Sequence, residues 1–327
     1  MVIMEQETAS TNGSTLVATR ESAFIIFESC IFVLLNIMAF TGNLLVCIAF
    51  YKNPSLRSIT NYFVLSLALT DLAMAVFVIP LATASSIANK WVAGDLGCKL
   101  RYFFTNSLGG TSLLTVMLLA LNRYFRVVRP SLYPKLFSSN GSVTMALSAW
   151  IVTIIAVIIL FFATGVQFET LSVQPAFCLR TFTDSAGKIS FGVVHDAYIA
   201  IPSLVIVFCY VRIYQSVRKH NAVALSSPRK GKCAYGIQEK KMTRMLTVVV
   251  AGFYLCWLPL FVTQILMTFT KIIKERDIKF YNFYFNFPGY CSSVINPVVY
   301  ATMNPPFRSE FRNIFRCGKN QNSLALV

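Results

Sequence analysis

Asp71 stands in the run Leu67-Ala68-Leu69-Thr70-Asp71-Leu72-Ala73, with no other charge near it. Burying it in hydrocarbon as a carboxylate costs about 2.5–3.5 kcal/mol on insertion scales, so a proton or a cation must neutralise it. Asn43, Ser112, Ser292, Ser293 and Asn296 fall at comparable depth in three further apolar runs. Together these side chains offer oxygen ligands to a hard monovalent cation such as sodium. The alternative is a cation-free hydrogen-bond network around a neutral acid. Arg123 is the second charge out of place. It closes the uncharged stretch from Gly109 to Leu121 as Asn122-Arg123-Tyr124, where a guanidinium must snorkel to the interface or find a partner. One reading is a basic stop that sets topology; the other is a switch. Enzyme chemistry finds no support: there is no serine, histidine and acid at plausible spacing, no zinc-ligand cluster and no phosphate-binding glycine loop.

Elements able to position such residues follow from composition. The 327 residues are 56% hydrophobic and only 13% charged, against about 25% charged in an ordinary soluble domain. Seven stretches, near 24–51, 60–86, 98–125, 143–164, 189–217, 242–270 and 280–302, are long enough to cross a bilayer as helices. The expected fold is an all-α membrane protein, a seven-helix transmembrane bundle in one domain (23–303). A polar outer tail (1–22) precedes it, and an amphipathic helix with an inner tail (304–327) follows.

The net charge is +16. With the N-terminus outside, the inner segments hold 19 of the 29 basic residues and only Glu239 and Glu310 of the 13 acids, so the inner side is +17 and the rest −1. That asymmetry selects this orientation and argues against a nucleic-acid partner, since the charge lies in short loops along a bilayer. It also leaves Arg123 unneeded as a topology signal. Of nine cysteines, only Cys98 and Cys178 face an oxidising compartment together, so a disulfide is expected between them. Asn12 opens an acceptor sequon on the outer tail. The inner loop near 218–240 is rich in Ser, Pro, Lys and Arg and is expected to be mobile. Phe307, Phe311, Ile314 and Phe315 recur at helical spacing opposite Arg308, Arg312 and Arg316, an interfacial helix in contact with membrane lipids. Cys317, just beyond it, is a candidate for palmitoylation or a plain thiol. Pro202, Pro259 and Pro297 break the helix ladders of spans five to seven, two of them beside Trp257 and Tyr300. A channel or transporter built on Asp71 would need a continuous polar path or broken helices, and no inverted repeat is present.

In order along the chain, Gly42-Asn43, Leu67-Ala68-Leu69-Thr70-Asp71, Cys98, Asn122-Arg123-Tyr124, Trp150, Pro202 with Tyr210, Phe253-x-x-Cys256-Trp257-Leu258-Pro259 and Asn296-Pro297-x-x-Tyr300 resemble the rhodopsin-like (class A) G-protein-coupled receptors over about 23–317. The resemblance implies a plasma-membrane receptor that is not an enzyme and needs no cofactor, with sodium as an allosteric ligand. It implies a small extracellular ligand and coupling to a heterotrimeric G protein by outward movement of helix six, with arrestin and a receptor kinase as further partners. Arg123 would hold the inner ends closed at rest, facing Glu239. Tyr210 and Tyr300 would swing in to stabilise the open form, and Phe253, Trp257 and Pro259 would form the toggle beneath the ligand. Where the family usually has an acid, this chain has Asn122, which leaves more of the resting restraint to Glu239.

The resemblance also places a pocket. Thr105 stands where amine receptors carry an aspartate, and Tyr290 where opsins carry the retinal lysine. The expected lining is Thr105, Asn106, Gly109, His195, Tyr198, Phe261, Gln264, Asn286 and Tyr290, neutral and aromatic groups suited to a small, uncharged, flat molecule. Asn122-Arg123-Tyr124 followed by Ser131-Leu132-Tyr133-Pro134-Lys135-Leu136-Phe137-Ser138-Ser139 is similar to the melatonin receptors. This chain departs from that group at Pro297, at Tyr198, where the group's span-five histidine aligns, and at Leu160, where the group has asparagine. A short peptide or a lipid is the alternative ligand.

Overall fold

The computed structural model describes residues 22–164, 166–170, 178–226, 233–270 and 281–324. Ten α-helices, a short 3-10 turn and one hairpin make up these residues: α1 (Ser22–Lys52), α2 (Ile59–Phe77), α3 (Ile79–Ile87), α4 (Gly94–Val128), α5 (Tyr133–Leu136), α6 (Ser139–Ala163), α7 (Ser185–Ser226), α8 (Cys233–Phe269), α9 (Tyr281–Met303) and α10 (Pro305–Leu324). Among the described residues six stretches are long and apolar enough to cross a membrane, with α2 and α3 counting as one. The seventh crossing element is α9. Its 23 residues reach about 35 Å at 1.5 Å per residue. Asn286, Ser292, Ser293 and Asn296 dilute its hydrophobicity, and all four are buried against neighbouring helices.

Local chemistry sets the boundaries. Asn53 caps the turn Pro54–Leu56 by accepting from the Ser55 N–H at 3.0 Å, and the Ser58 and Ser138 hydroxyls accept from the N–H groups of Asn61 and Gly141 to open α2 and α6. The second span, expected as one helix over 60–86, breaks at Val78. Pro80 lies in the first turn of α3, where its missing N–H is tolerated, and so it restarts the helix. The inner loop expected near 218–240 is helical over 219–226 and 233–240, the ends of α7 and α8. A hairpin absent from the sequence reading pairs β1 (Val166–Thr170) with β2 (Cys178–Phe182), antiparallel, Val166 opposite Phe182 and Thr170 opposite Cys178.

Packing follows residue size rather than hydrophobicity, because lipid is as apolar as the core. On α6 the inward stripe is Ser142, Ala146, Ala149, Thr153 and Val157, while Leu147, Ile151, Ile155 and Phe162 face outward. Trp150 anchors this helix by donating to the Ser66 hydroxyl of α2 at 3.1 Å. One apolar cluster, with Phe63, Leu67, Val116, Leu119, Val249 and Tyr300, fills the half of the bundle nearer Arg123. A second, with Phe32, Val78, Ile79, Leu108 and Tyr290, joins α1, α3, α4 and α9 toward the Cys98 end. Phe307 and Phe311 bury the inward side of α10, and the Asn53 side-chain amide donates to the Glu310 carboxylate at 3.0 Å. Phe315, assigned to the same apolar face, is exposed, and so are Arg308, Arg312 and Arg316.

Gly42 is where α1 meets α9 most closely. A Cβ there would lie 2.7 Å from Cγ of Pro297, part of a stiff ring that cannot turn aside. A Cβ at Gly252 would lie 2.9 Å from Cγ2 of Ile295, a methyl on an open chain rather than an atom of a closed ring. Gly42→Ala should therefore cost about 1–3 kcal/mol of stability, the range for overpacking, and lower the melting temperature of the purified chain more than Gly252→Ala does. Equal melting temperatures for the two variants would contradict this account of the contact.

Candidate functional site

Three polar stations lie along the bundle, and each is built by different helices. At its middle, the Asn296 side-chain amide of α9 donates to Oδ2 of Asp71 at 2.8 Å. Asp71 is 3% exposed and makes no ion pair among the described residues. Asn43 of α1 donates to the carbonyls of Ala39 (2.8 Å) and Ser293 (2.9 Å), which leaves its Oδ1 buried with no donor. Ser112 and Thr70 share a hydrogen bond of 3.0 Å, and Ser292 and Ser293 are buried on α9. The six expected residues thus fall on the four helices α1, α2, α4 and α9 around one carboxylate that only neutral donors meet. A hard cation suits that donor set, and the orphaned Asn43 oxygen is the atom that most clearly lacks a partner.

Arg123 is 2% exposed at the end of α4 near the loop that holds α5. Its Nη2 donates to the Thr60 hydroxyl of α2 at 2.5 Å, and that hydroxyl donates to Oδ1 of Asn122 at 3.0 Å. Asn122 in turn donates to the Tyr133 hydroxyl of α5 at 3.3 Å. The Arg126 guanidinium donates to the same hydroxyl at 3.4 Å and lies 5.2 Å over the ring. Neutral Asn122 is therefore one link of a relay running α2–α4–α5, and Thr60 and Tyr133 were missed by sequence reading. Tyr210 of α7 lies close enough to Arg123 for electrostatic interaction. Tyr124 packs against Phe208 with ring centroids 5.6 Å apart. Tyr300 is fully buried, its ring 5.8 Å from Phe307 and its hydroxyl without a hydrogen-bond partner. The side chains of Glu239, Cys178 and Cys317, and all of Asn12, lie outside the described residues. Cys98 is buried and disulfide-bonded.

Toward the Cys98 end, a cavity of about 110 Å³ opens between α4, α6, α7 and α8. Thr105, Asn106, Gly109, His195, Tyr198 and Phe261 line it as expected. Its floor is an i, i+4 aromatic ladder on α8: Phe253 and Trp257 stack at 5.9 Å, Trp257 and Phe261 at 6.0 Å. Pro259 lies within the same helix. The His195 imidazole stacks on Phe191 at 5.6 Å, with Nδ1 3.4 Å from the Asp196 carboxylate. The rest of the wall is apolar, including Val157, Leu160 and Phe161 of α6.

Gln264, Asn286 and Tyr290 do not line this cavity, which corrects the expected set. Asn286 accepts from the Arg101 guanidinium, which also lies 5.8 Å over the Trp91 ring. Tyr290 packs edge-on against Phe32 at 5.2 Å. Beside them Glu28, fully buried on α1, accepts from the Ser86 hydroxyl of α3, and Ser86 accepts from Ser29 at 3.3 Å. These contacts tie α1 to α3 and α4 to α9, and the Tyr290 ring packs α9 against α1. The signal of this polar corner was present in the sequence, since Glu28 is an acid inside the expected first span.

Comparison with known proteins agrees with this architecture. Residues 42–300 match the model of the 7 transmembrane receptor (rhodopsin family). Melatonin receptor type 1A of Ovis aries is 30% identical over 274 residues, 84% of this chain and 73% of that protein. The histamine H2 receptor of Canis lupus familiaris is 28% identical over 296 residues, covering 88% and 79%. The crystal structure of squid rhodopsin superposes with a TM-score of 0.75 at 23% identity, covering 91% of this chain and 87% of that one, a likeness of fold. With its membrane-crossing bundle, its buried Asp71–Asn296 pair and its Asn122-Arg123-Tyr124 relay, the chain belongs to the rhodopsin family of seven-transmembrane receptors.

Proposed function

We propose that this receptor sits in the plasma membrane with its N-terminus outside. It binds a small, flat, largely uncharged molecule in the cavity above Trp257 and activates a heterotrimeric G protein when the Arg123 end of α8 moves outward. The observation that carries the reading is the cavity itself. Stacked aromatic rings form its floor, and Thr105 stands where an amine receptor would present an acid. An indole of the melatonin type fits that chemistry; identities to a melatonin receptor (30%) and to an amine receptor (28%) are nearly equal, so the preference over amines rests on Thr105. Arrestin and a receptor kinase would act on the same inner face. A panel of melatonin, amines, nucleosides, lipids and short peptides, read by G-protein dissociation, tests the reading. Activation by amines or peptides alone would overturn it.

The resting latch rests on Thr60 as well as Glu239. A hydrogen bond from a charged donor contributes about 1.5–3 kcal/mol, and removing it from the closed form shifts the equilibrium toward the open one. Thr60→Val should therefore raise agonist-independent nucleotide exchange in membranes by about tenfold, with Glu239→Ala acting in the same direction. Basal exchange equal to wild type in both variants, at equal surface abundance, would remove the latch.

We further propose that Asp71, Asn43, Ser112, Ser292, Ser293 and Asn296 hold a sodium ion that favours the closed form. A ligand bound only to the folded chain stabilises it by mass action. Replacing choline by sodium at constant ionic strength should raise the melting temperature by about 2–4 °C, and Asp71→Asn should abolish the difference. An identical sodium response in Asp71→Asn would refute the site.

A further inference from the structure

The direction of each hydrogen bond around the cavity can be worked out from which hydrogens are already committed. Thr105 spends its single hydroxyl hydrogen on the Arg101 carbonyl at 2.8 Å, so its oxygen can only accept. Thr153, buried behind the wall on α6, spends its own hydrogen on the Ala149 carbonyl, also at 2.8 Å. The 2.8 Å contact between the Thr153 and Tyr198 hydroxyls must then be a bond that Tyr198 donates, and Tyr198 too is left with lone pairs alone. The backbone makes room for that pair at Gly110. A Cβ there would lie 2.8 Å from Cγ2 of Thr153 and 2.9 Å from the Tyr198 hydroxyl.

Asn106 donates one N–H to the Tyr102 carbonyl at 2.8 Å, keeping its carbonyl oxygen and one further N–H. The His195 ring turns its Nδ1 toward the Asp196 carboxylate at 3.4 Å. The indole N–H of Trp257, on a residue that lines the cavity, is buried with no hydrogen-bond acceptor among the described residues. Thr105 and Tyr198 are thus set to accept, while Asn106 can also donate and Trp257 keeps an uncommitted N–H.

Resting on the small-aromatic reading above, we propose that the cavity selects its ligand by hydrogen-bond donors. The preferred class is a flat aromatic molecule presenting O–H or N–H groups to the Thr105 and Tyr198 oxygens. The corresponding ether or N-methyl compound is disfavoured because it offers these oxygens nothing and leaves them desolvated.

Three indoles grade the donor count without changing the ring: 5-hydroxyindole (two donors), 5-methoxyindole (one) and 1-methyl-5-methoxyindole (none). Titrating each against the melting temperature of the purified 327-residue chain yields apparent affinities, which should fall in that order, the first step by about tenfold. Thr153→Val separates donor chemistry from the larger size of the ether. It keeps the shape but frees the Tyr198 hydrogen to point into the cavity, so the hydroxy-to-methoxy preference should shrink about tenfold or reverse. Tyr198→Phe removes the acceptor and should also reduce the preference, which keeps the test intact if Thr153→Val does not fold. An unchanged preference in the variants that fold overturns donor selection while leaving the small-aromatic reading standing. Absence of stabilisation by all three indoles overturns both.

Discussion

A polar group in hydrocarbon has no water to turn to, so each one that a membrane helix carries must be met by its own backbone or by another helix. In this chain that requirement decides which way each helix faces. Asn43 reaches the Ser293 carbonyl and Asn296 reaches Asp71, which pins α9 to α1 and α2. Trp150 reaches Ser66, and Ser66 lies 3.4 Å from the Thr115 hydroxyl, which pins α6 and α4 to α2. The lipid-facing side of α6 carries none of these groups and needs only apolar bulk. Apolar packing then fills the space that the polar contacts have already oriented.

The same contacts leave the bundle able to rearrange. Pro202, Pro259, Pro288 and Pro297 each remove a rung from a helix ladder, so bending there sacrifices less than bending a complete helix. Beside Pro297, Tyr300 keeps a buried hydroxyl that nothing in this arrangement satisfies. An unmet hydrogen bond favours any second arrangement that meets it, and the ladder at Pro297 has the give to reach one. Gly42 limits that freedom from one side, because α1 lies so close to Pro297 that the kink cannot move further toward it.

Much of this was legible in the linear chain. Apolar runs of bilayer length place the seven crossing elements, although α7 runs on to Ser226 and α8 starts at Cys233, beyond the ends expected at 217 and 242. The middle station was legible too, since Asp71 and its neighbours are conspicuous against apolar surroundings. Long-range reach was not. Arg101 stretches to Asn286, and Glu28 draws polar groups of α1 and α3 together beside Tyr290, so two residues assigned to the cavity by register belong to another corner. Thr60 and Thr153 illustrate a different limit. A threonine in an apolar helix looks like any other until the structure shows where its one hydrogen goes. Pro80 was legible in principle, but a proline that restarts a helix leaves the hydropathy of the span unchanged.

Asn122 shows why a neutral residue can do what an acid cannot at the end of α4. A carboxylate beside Arg123 would pair with it directly and could only accept hydrogen bonds. An amide accepts and donates at once. Asn122 uses both capacities, taking the Thr60 hydrogen on its oxygen and giving its own to Tyr133. Arg123 is consequently restrained through a hydroxyl on α2, and the same amide ties that restraint to α5, where Arg126 covers the tyrosine ring. An acid in this place would concentrate the restraint in one ion pair. The amide distributes it over three elements, so movement of the α5 segment and movement of Arg123 become parts of one equilibrium.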